Sequence, residues 1–280
     1  MAFRVVGSGT SIPVLWIHGG PGGSSCAFIE NLSGLASKRP IVFYDQLGSG
    51  YSDRIEDVEQ FAQLPRFVKE IDAIRKELGL HEVHLVGHSW GATVLLEYLL
   101  TTNPDGVKSS VFIGPFFSAT HWNEDAHRLL SDLPEEAQEA IRVSIESAEF
   151  ASNEYKKASQ LYNRRHWIRR PPDQVGLTPC RKMPSGNSGI YRFMWGSSDI
   201  VVTGTLKGYD RVERLSELDL PVLFVAGQHD MARPETVKNY QAMVGGSRLE
   251  ILPDAGHAVH LDQAELLNST LEDFFSAVEK

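Results

Sequence analysis

Ser89 stands in the run Gly87-His88-Ser89-Trp90-Gly91, between a strand-like stretch, Val83–Val86, and a helix-like stretch, Ala92–Leu100. A turn that tight strains the serine backbone and lifts its hydroxyl clear of its neighbours, while the flanking glycines let strand and helix approach closely. The chemistry this suits is attack on a carbonyl carbon. At neutral pH a serine hydroxyl needs a base to take its proton, and the base needs a partner to hold it. Ten histidines compete for the post of base. Asp230 follows the apolar run Val222–Ala226, and His257 follows the run Leu249–Leu252, 27 positions later. That interval holds one helix and one strand, so both side chains fall at strand ends. His260 lies one helical turn further on, His229 abuts Asp230, and Asp210 and Asp219 precede the strand and would sit at its wrong end. The catalytic set expected is therefore Ser89, Asp230 and His257.

The tetrahedral intermediate of such a reaction carries an oxyanion, which needs N–H donors. One is expected from the Trp90 amide, directly after the serine. The other is expected from the loop His18-Gly19-Gly20-Pro21-Gly22-Gly23, where Gly20 is the choice because Pro21 has no N–H to give. Gly19, beside it, is expected to border the substrate. Neither a Walker lysine nor a Gly-x-Gly-x-x-Gly pattern follows, which excludes a phosphate cradle as the simple reading of this loop. The pairs His257/His260 and His84/His88 have helical spacing but no third ligand in pattern, so no metal is expected. The reaction as written needs no cofactor.

The elements that must position these groups read as an α/β protein. Strands are expected at Val14–Ile17, Ile41–Tyr44, Val83–Val86, Val111–Ile113, Val222–Ala226 and Leu249–Leu252. Helices are expected at Phe61–Leu78, Ala92–Thr101, Pro234–Val244 and Ala264–Val278. The alternation of short apolar runs with helical patterns marks a mostly parallel sheet covered on both faces. A Gly-x-Ser-x-Gly between strand and helix marks the nucleophile elbow, and hence the α/β-hydrolase fold, in which serine, acid and histidine follow in that order. From about Ser118 to Tyr209 no buried strand is evident. That stretch reads as helices, as in Asp132–Phe150 and Asn153–His166, followed by the Pro/Gly-rich Pro171–Gly189. The expected organisation is a core of residues 1–117 and 210–280, with a helical cap, 118–209, inserted.

Bulk properties narrow the partners. An apolar fraction of 42% and a charged fraction of 22% describe an ordinary globular chain with ample core. A net charge of −9 argues against nucleic acid or an anionic membrane surface. The one basic cluster, Arg164–Arg170, reads as a solvated helix end. No run approaches the ~18 apolar residues of a membrane span, and Met1–Gly9 lacks the apolar core of a signal peptide. Cys26 and Cys180 lack metal-type spacing and fit a reducing compartment. The expectation is a cytoplasmic protein, monomeric by default, acting on a small molecule or short peptide.

The residues also resemble the prolyl aminopeptidase (proline iminopeptidase) family of α/β-hydrolases. The resemblance rests on His18–Gly23 as an HGGPG loop and on Asp45-Gln46-Leu47-Gly48-Ser49-Gly50-Tyr51-Ser52 as a DQxGxGxS segment. It continues through Gly87–Gly91, Gly227–Asp230 and Gly256-His257, and in the cap through Tyr191–Asp199 and Val202-Thr203-Gly204-Thr205. It covers nearly the whole chain, and the first two motifs are far more specific than the nucleophile elbow. The resemblance implies acidic residues that bind the free amino or imino group of the substrate. One falls at Asp199, a carbon shorter than the family's usual Glu. The other, directly after the triad acid, falls at Met231, which is not acidic. Trp195 is expected to shape the pocket beside them. The front end is short for the family, so the leading strands are expected to be reduced to Val5-Val6 or the chain to be a truncated form.

The expected function is a serine hydrolase releasing N-terminal proline or small apolar residues from short peptides. One alternative, motivated by Met231, is an amidase or esterase acting on amino-acid amides or neutral acyl compounds. Another is a hydrolase-fold receptor with slow or no turnover.

Overall fold

The computed structural model describes residues 1–171 and 186–280. Seven strands form one sheet: β1 Phe3–Val6, β2 Val14–Ile17, β3 Ile41–Tyr44, β4 Val83–His88, β5 Val107–Ile113, β6 Val222–Gly227 and β7 Arg248–Leu252. Their order is β1-β3-β2-β4-β5-β6-β7, and all neighbours are parallel except β1, which runs antiparallel to β3. The front end is thus a single strand, Phe3–Val6, slightly longer than the expected Val5-Val6 and mostly exposed at the sheet edge.

The helices among the described residues are α1 Cys26–Ile29, α2 Ser33–Ala36, α3 Val58–Phe61, α4 Leu64–Glu77, α5 Trp90–Thr102, α6 Ala119–Leu130, α7 Glu135–Ser147, α8 Asn153–His166, α9 Ser188–Met194, α10 Pro234–Ala242, α11 Val259–Asp262 and α12 Ala264–Val278. The helix expected over Phe61–Leu78 is two helices. Pro65 has no N–H to donate to the Phe61 carbonyl, so α3 stops and α4 begins with the proline in its first turn. The expected Asp132–Phe150 helix is the shorter α7. Helix α6, capped where the Ser118 hydroxyl accepts from the His121 amide, was not delimited by sequence periodicity.

Strand residues alternate between two cores. Leu15, Ile17, Val42 and Leu85 face α4 and α5, whereas Val14, Trp16, Phe43 and Val86 face α12, with Leu267, Leu271 and Phe275. Both faces are buried, which explains why these strands read as continuous apolar runs. Buried Arg39 pins α12 through ion pairs with Glu272 and Glu279.

Helices α6–α9 leave the sheet after β5 and return before β6. The two ends of this excursion meet. Ser118 and Asp210 form an antiparallel bridge, the Ser118 hydroxyl donates to Asp210 at 2.7 Å, and the Ala119 amide donates to the Tyr209 carbonyl. Most of the Pro/Gly-rich Pro171–Gly189 lies outside the described residues, as does Cys180. Cys26 is disulfide-bonded, which corrects the reading of the two cysteines as a mark of a reducing compartment. Among the described residues no helix is long and apolar enough to cross a membrane.

Candidate active site

Strand β4 ends at His88 and α5 begins at Trp90, so Ser89 alone makes the turn, at φ 55° and ψ −119°. The elbow glycines have a steric cause. A Cβ on Gly91 would come within 2.1 Å of the Ile17 carbonyl oxygen, and one on Gly87 would come within 2.5 Å of the Gly91 oxygen. No larger residue fits between β2, β4 and α5.

His257 Nδ1 donates to Asp230 Oδ1 at 2.7 Å, and Asp230 is fully buried. The carboxylate is itself held: Oδ1 accepts from the Ala232 amide at 2.9 Å and Oδ2 from the Gly227 amide at 3.2 Å. Gly114, at the end of β5, lies against the pair. A Cβ there would sit 2.8 Å from the His257 ring and 3.1 Å from Asp230 Oδ2. The His257 backbone is anchored from two sides. Its amide donates to the His166 carbonyl at the end of α8, and its own carbonyl accepts from His88 Nε2 at 2.9 Å. Burial and the neighbouring His257 push His88 down to about 3, so the ring is neutral and its Nε2 carries the donated proton. Buried Asp262 completes the clamp by accepting from the Gly256, Arg169 and Arg170 amides. The basic cluster is therefore a helix end whose backbone is tied to the histidine loop.

Ser89 and His257 line one cavity of about 830 Å³. No hydrogen bond joins them among the described residues; such contacts are often long without substrate and tighten in the reacting complex. The rival residues point elsewhere. His260 stacks on Phe28, with ring centroids 4.1 Å apart, and Asp210 closes the base of the α6–α9 excursion.

The loop after β2 and the start of α5 are fastened to each other by Gln46, which is fully buried. Its Nε2 donates to the His18 carbonyl at 2.9 Å and its Oε1 accepts from the Trp90 indole at 2.9 Å. Its backbone amide also donates to His18 Nε2 at 3.0 Å. Asp45, the preceding residue, accepts from the Ser25 amide and hydroxyl and from the Tyr51 amide. The Asp45–Ser52 segment thus acts as a bracket between the two backbone stretches that carry the Gly20 and Trp90 amides. The Trp90 side chain is buried away from the cavity, edge-on to Phe67.

Gly19, Gly20, Trp195, Asp199 and Met231 all border the cavity, as expected. Trp195 packs edge-on to Trp122 at 5.1 Å, and Trp122 lies edge-on to His257 at 5.5 Å. Asp199 is open to the cavity yet hemmed in by protein. Burial pushes its carboxyl upward, and hydrogen bonds from Tyr191 and Asn163 partly offset that shift. Trp122 and Asn163 were not singled out from the sequence. Both lie on helices of the excursion with no motif around them. Tyr191 was visible only as part of the Tyr191–Asp199 run.

Residues 12–264 match the family model of the alpha/beta hydrolase fold. The chain is 38% identical to a proline iminopeptidase of Heyndrickxia coagulans, covering 97% of this chain and 93% of that protein. It is 34% identical to a proline iminopeptidase of Lactobacillus delbrueckii subsp. bulgaricus, covering 97% and 92%. The crystal structure of a proline iminopeptidase from Mycobacterium smegmatis superposes with a TM-score of 0.85 at 26% identity, covering 99% of this chain and 94% of that one. The elbow, the histidine–aspartate pair and these likenesses together identify the chain as a member of the proline iminopeptidase family of α/β-hydrolase-fold enzymes.

Proposed function

We propose that this hydrolase is a serine aminopeptidase that removes N-terminal proline or small apolar residues from short peptides. Ser89 Oγ attacks the carbonyl carbon while His257 Nε2 takes its proton. Asp230 holds the imidazole through Nδ1 and stabilises its charged form. The Gly20 and Trp90 amides donate to the oxyanion, an effect worth about 3–4 kcal/mol per donor in related chemistry. Collapse expels the amine, which leaves with the proton from His257. Water then attacks the acyl-enzyme, with His257 again as base, and frees Ser89. Asp199 compensates the charge on the substrate's amino or imino group, and Trp195 and Trp122 wall the acyl pocket. Residues 118–209 act as the cap that carries this pocket over the sheet, which is consistent with the meeting of Ser118 and Asp210 at its base.

The observation that carries this reading is the presence of one carboxylate, Asp199, in the same aromatic-walled cavity as Ser89 and His257. The test is hydrolysis of prolyl-2-naphthylamide beside neutral carboxylic esters. Turnover of the prolyl amide is expected; brisk ester cleavage with no detectable amide cleavage would rule the aminopeptidase out.

One observation favours a second reading, an amidase or esterase for neutral acyl compounds. Met231, directly after Asp230 and 6% exposed, gives the cavity an apolar wall. On that reading Met231→Glu raises activity toward free-amine substrates, and no gain counts against it.

A further inference from the structure

Asn163 lies in the last turn of α8, three residues before the His166 carbonyl that holds the His257 amide. Its side chain borders the cavity together with Asp199, Tyr191 and Met231. A carboxamide beside a carboxylate turns its NH₂ toward the negative oxygens, and the Asn163 side chain does hydrogen-bond to Asp199. That orientation leaves Asn163 Oδ1 pointing away from Asp199. The oxygen is buried and has no hydrogen-bond partner. A buried acceptor without a donor is costly and rare, and one on a cavity wall is a vacancy for a donor brought from outside.

We infer that Asn163 Oδ1 is the second acceptor for the substrate's charged nitrogen, so that a carboxylate and a neutral carboxamide share the work. The inference rests on the reading of Asp199 as the amine partner and adds to it. The charged nitrogen of an N-terminal prolyl group carries two N–H donors. Asp199 takes one together with the charge, and Asn163 takes the other. The ring carbons then face Met231 and Trp195, which are apolar and buried. A primary aminoacyl group brings a third N–H for which this set has no acceptor, so the pair favours a secondary amine. Because only one of the two acceptors is charged, the ammonium is compensated once and no buried pair of like charges has to be kept apart.

The test compares prolyl and N-acetylprolyl benzyl esters, which share a leaving group and differ in the free nitrogen. In the wild-type protein kcat/KM is higher for the free amine. Asn163→Ala lowers the ratio of the two by about tenfold to a hundredfold, mostly through KM, the size expected for one hydrogen bond to a charged group. Asn163→Asp keeps an acceptor of the same size and retains most of the ratio at pH 8. An unchanged ratio in Asn163→Ala, or equal losses in the Ala and Asp variants, would overturn the assignment. A wild-type ratio near one, or no loss in Asp199→Asn, would instead overturn the amine-binding reading on which it stands.

Discussion

At the His257 end of the cavity each polar group has a fixed partner, whereas at the Asp199 end several have none. Asp230 accepts from His257 and from two backbone amides, and the His257 backbone is bonded through both its N–H and its carbonyl. Across the cavity, Asn163 Oδ1 and Trp195 Nε1 are buried without partners, and Met231 offers no hydrogen bond at all. The difference separates two jobs. Bond breaking is the same for every substrate and gains from groups held in place beforehand. Recognition leaves valences open because the substrate itself must fill them. The first end is built on strand termini of the sheet, the second on helices between β5 and β6. Only the α8 terminus serves both, through the His166 carbonyl and the Asn163 side chain.

The largest expected effect breaks the fixed end outright. Ser89→Ala lowers kcat by about 10⁵- to 10⁶-fold, and Asp230→Asn by about 10⁴-fold because the imidazole loses its preferred tautomer. Single-turnover assays with prolyl-2-naphthylamide check both. Wild-type-like rates in either variant would remove the contrast between the two ends, since the fixed pair would then have no chemistry to do.

Gln46→Leu sharpens the comparison by loosening the fixed end without touching substrate. It leaves the His18 carbonyl and the Trp90 indole unpaired, and the two oxyanion amides lose their common bracket. The expected outcome is a fall in kcat of about tenfold to a hundredfold with little change in KM. Steady-state kinetics test it, with a thermal melt to show that the variant is folded. A rise in KM at constant kcat would assign Gln46 to recognition instead.

The smallest effect concerns Glu70, whose carboxylate accepts from the Leu47 amide next to Gln46. Burial raises this carboxyl from 4.5 to about 7. Between those values the folded state keeps a proton that the unfolded chain has lost, so stability falls as pH rises through the window and stays reduced above it. Glu70→Gln keeps an acceptor and removes the titration. It is expected to gain on the order of 2 kcal/mol relative to wild type on going from pH 4 to pH 8. Urea midpoints at the two pH values measure this, and parallel shifts in both proteins would contradict it.

The six long-range strands were legible because each is buried on both faces and reads as a short apolar run between turn residues. Ser89, Asp230 and His257 were legible for the same reason, since each follows such a run by a few residues and strand ends point to one edge of the sheet. Helix α6 and the break before Pro65 were harder, as packing there overrides a weak local pattern. The order of the three groups along the chain and the glycines of the elbow were thus determined by sequence alone, through local sterics and periodicity. Tertiary structure alone decided that the end of α8 lies over the histidine loop, that Asp262 ties the two together, and that Asn163 faces the same cavity as Asp199. Those contacts join segments up to about ninety residues apart through single hydrogen bonds, and a single hydrogen bond between distant segments leaves no periodic trace in either one.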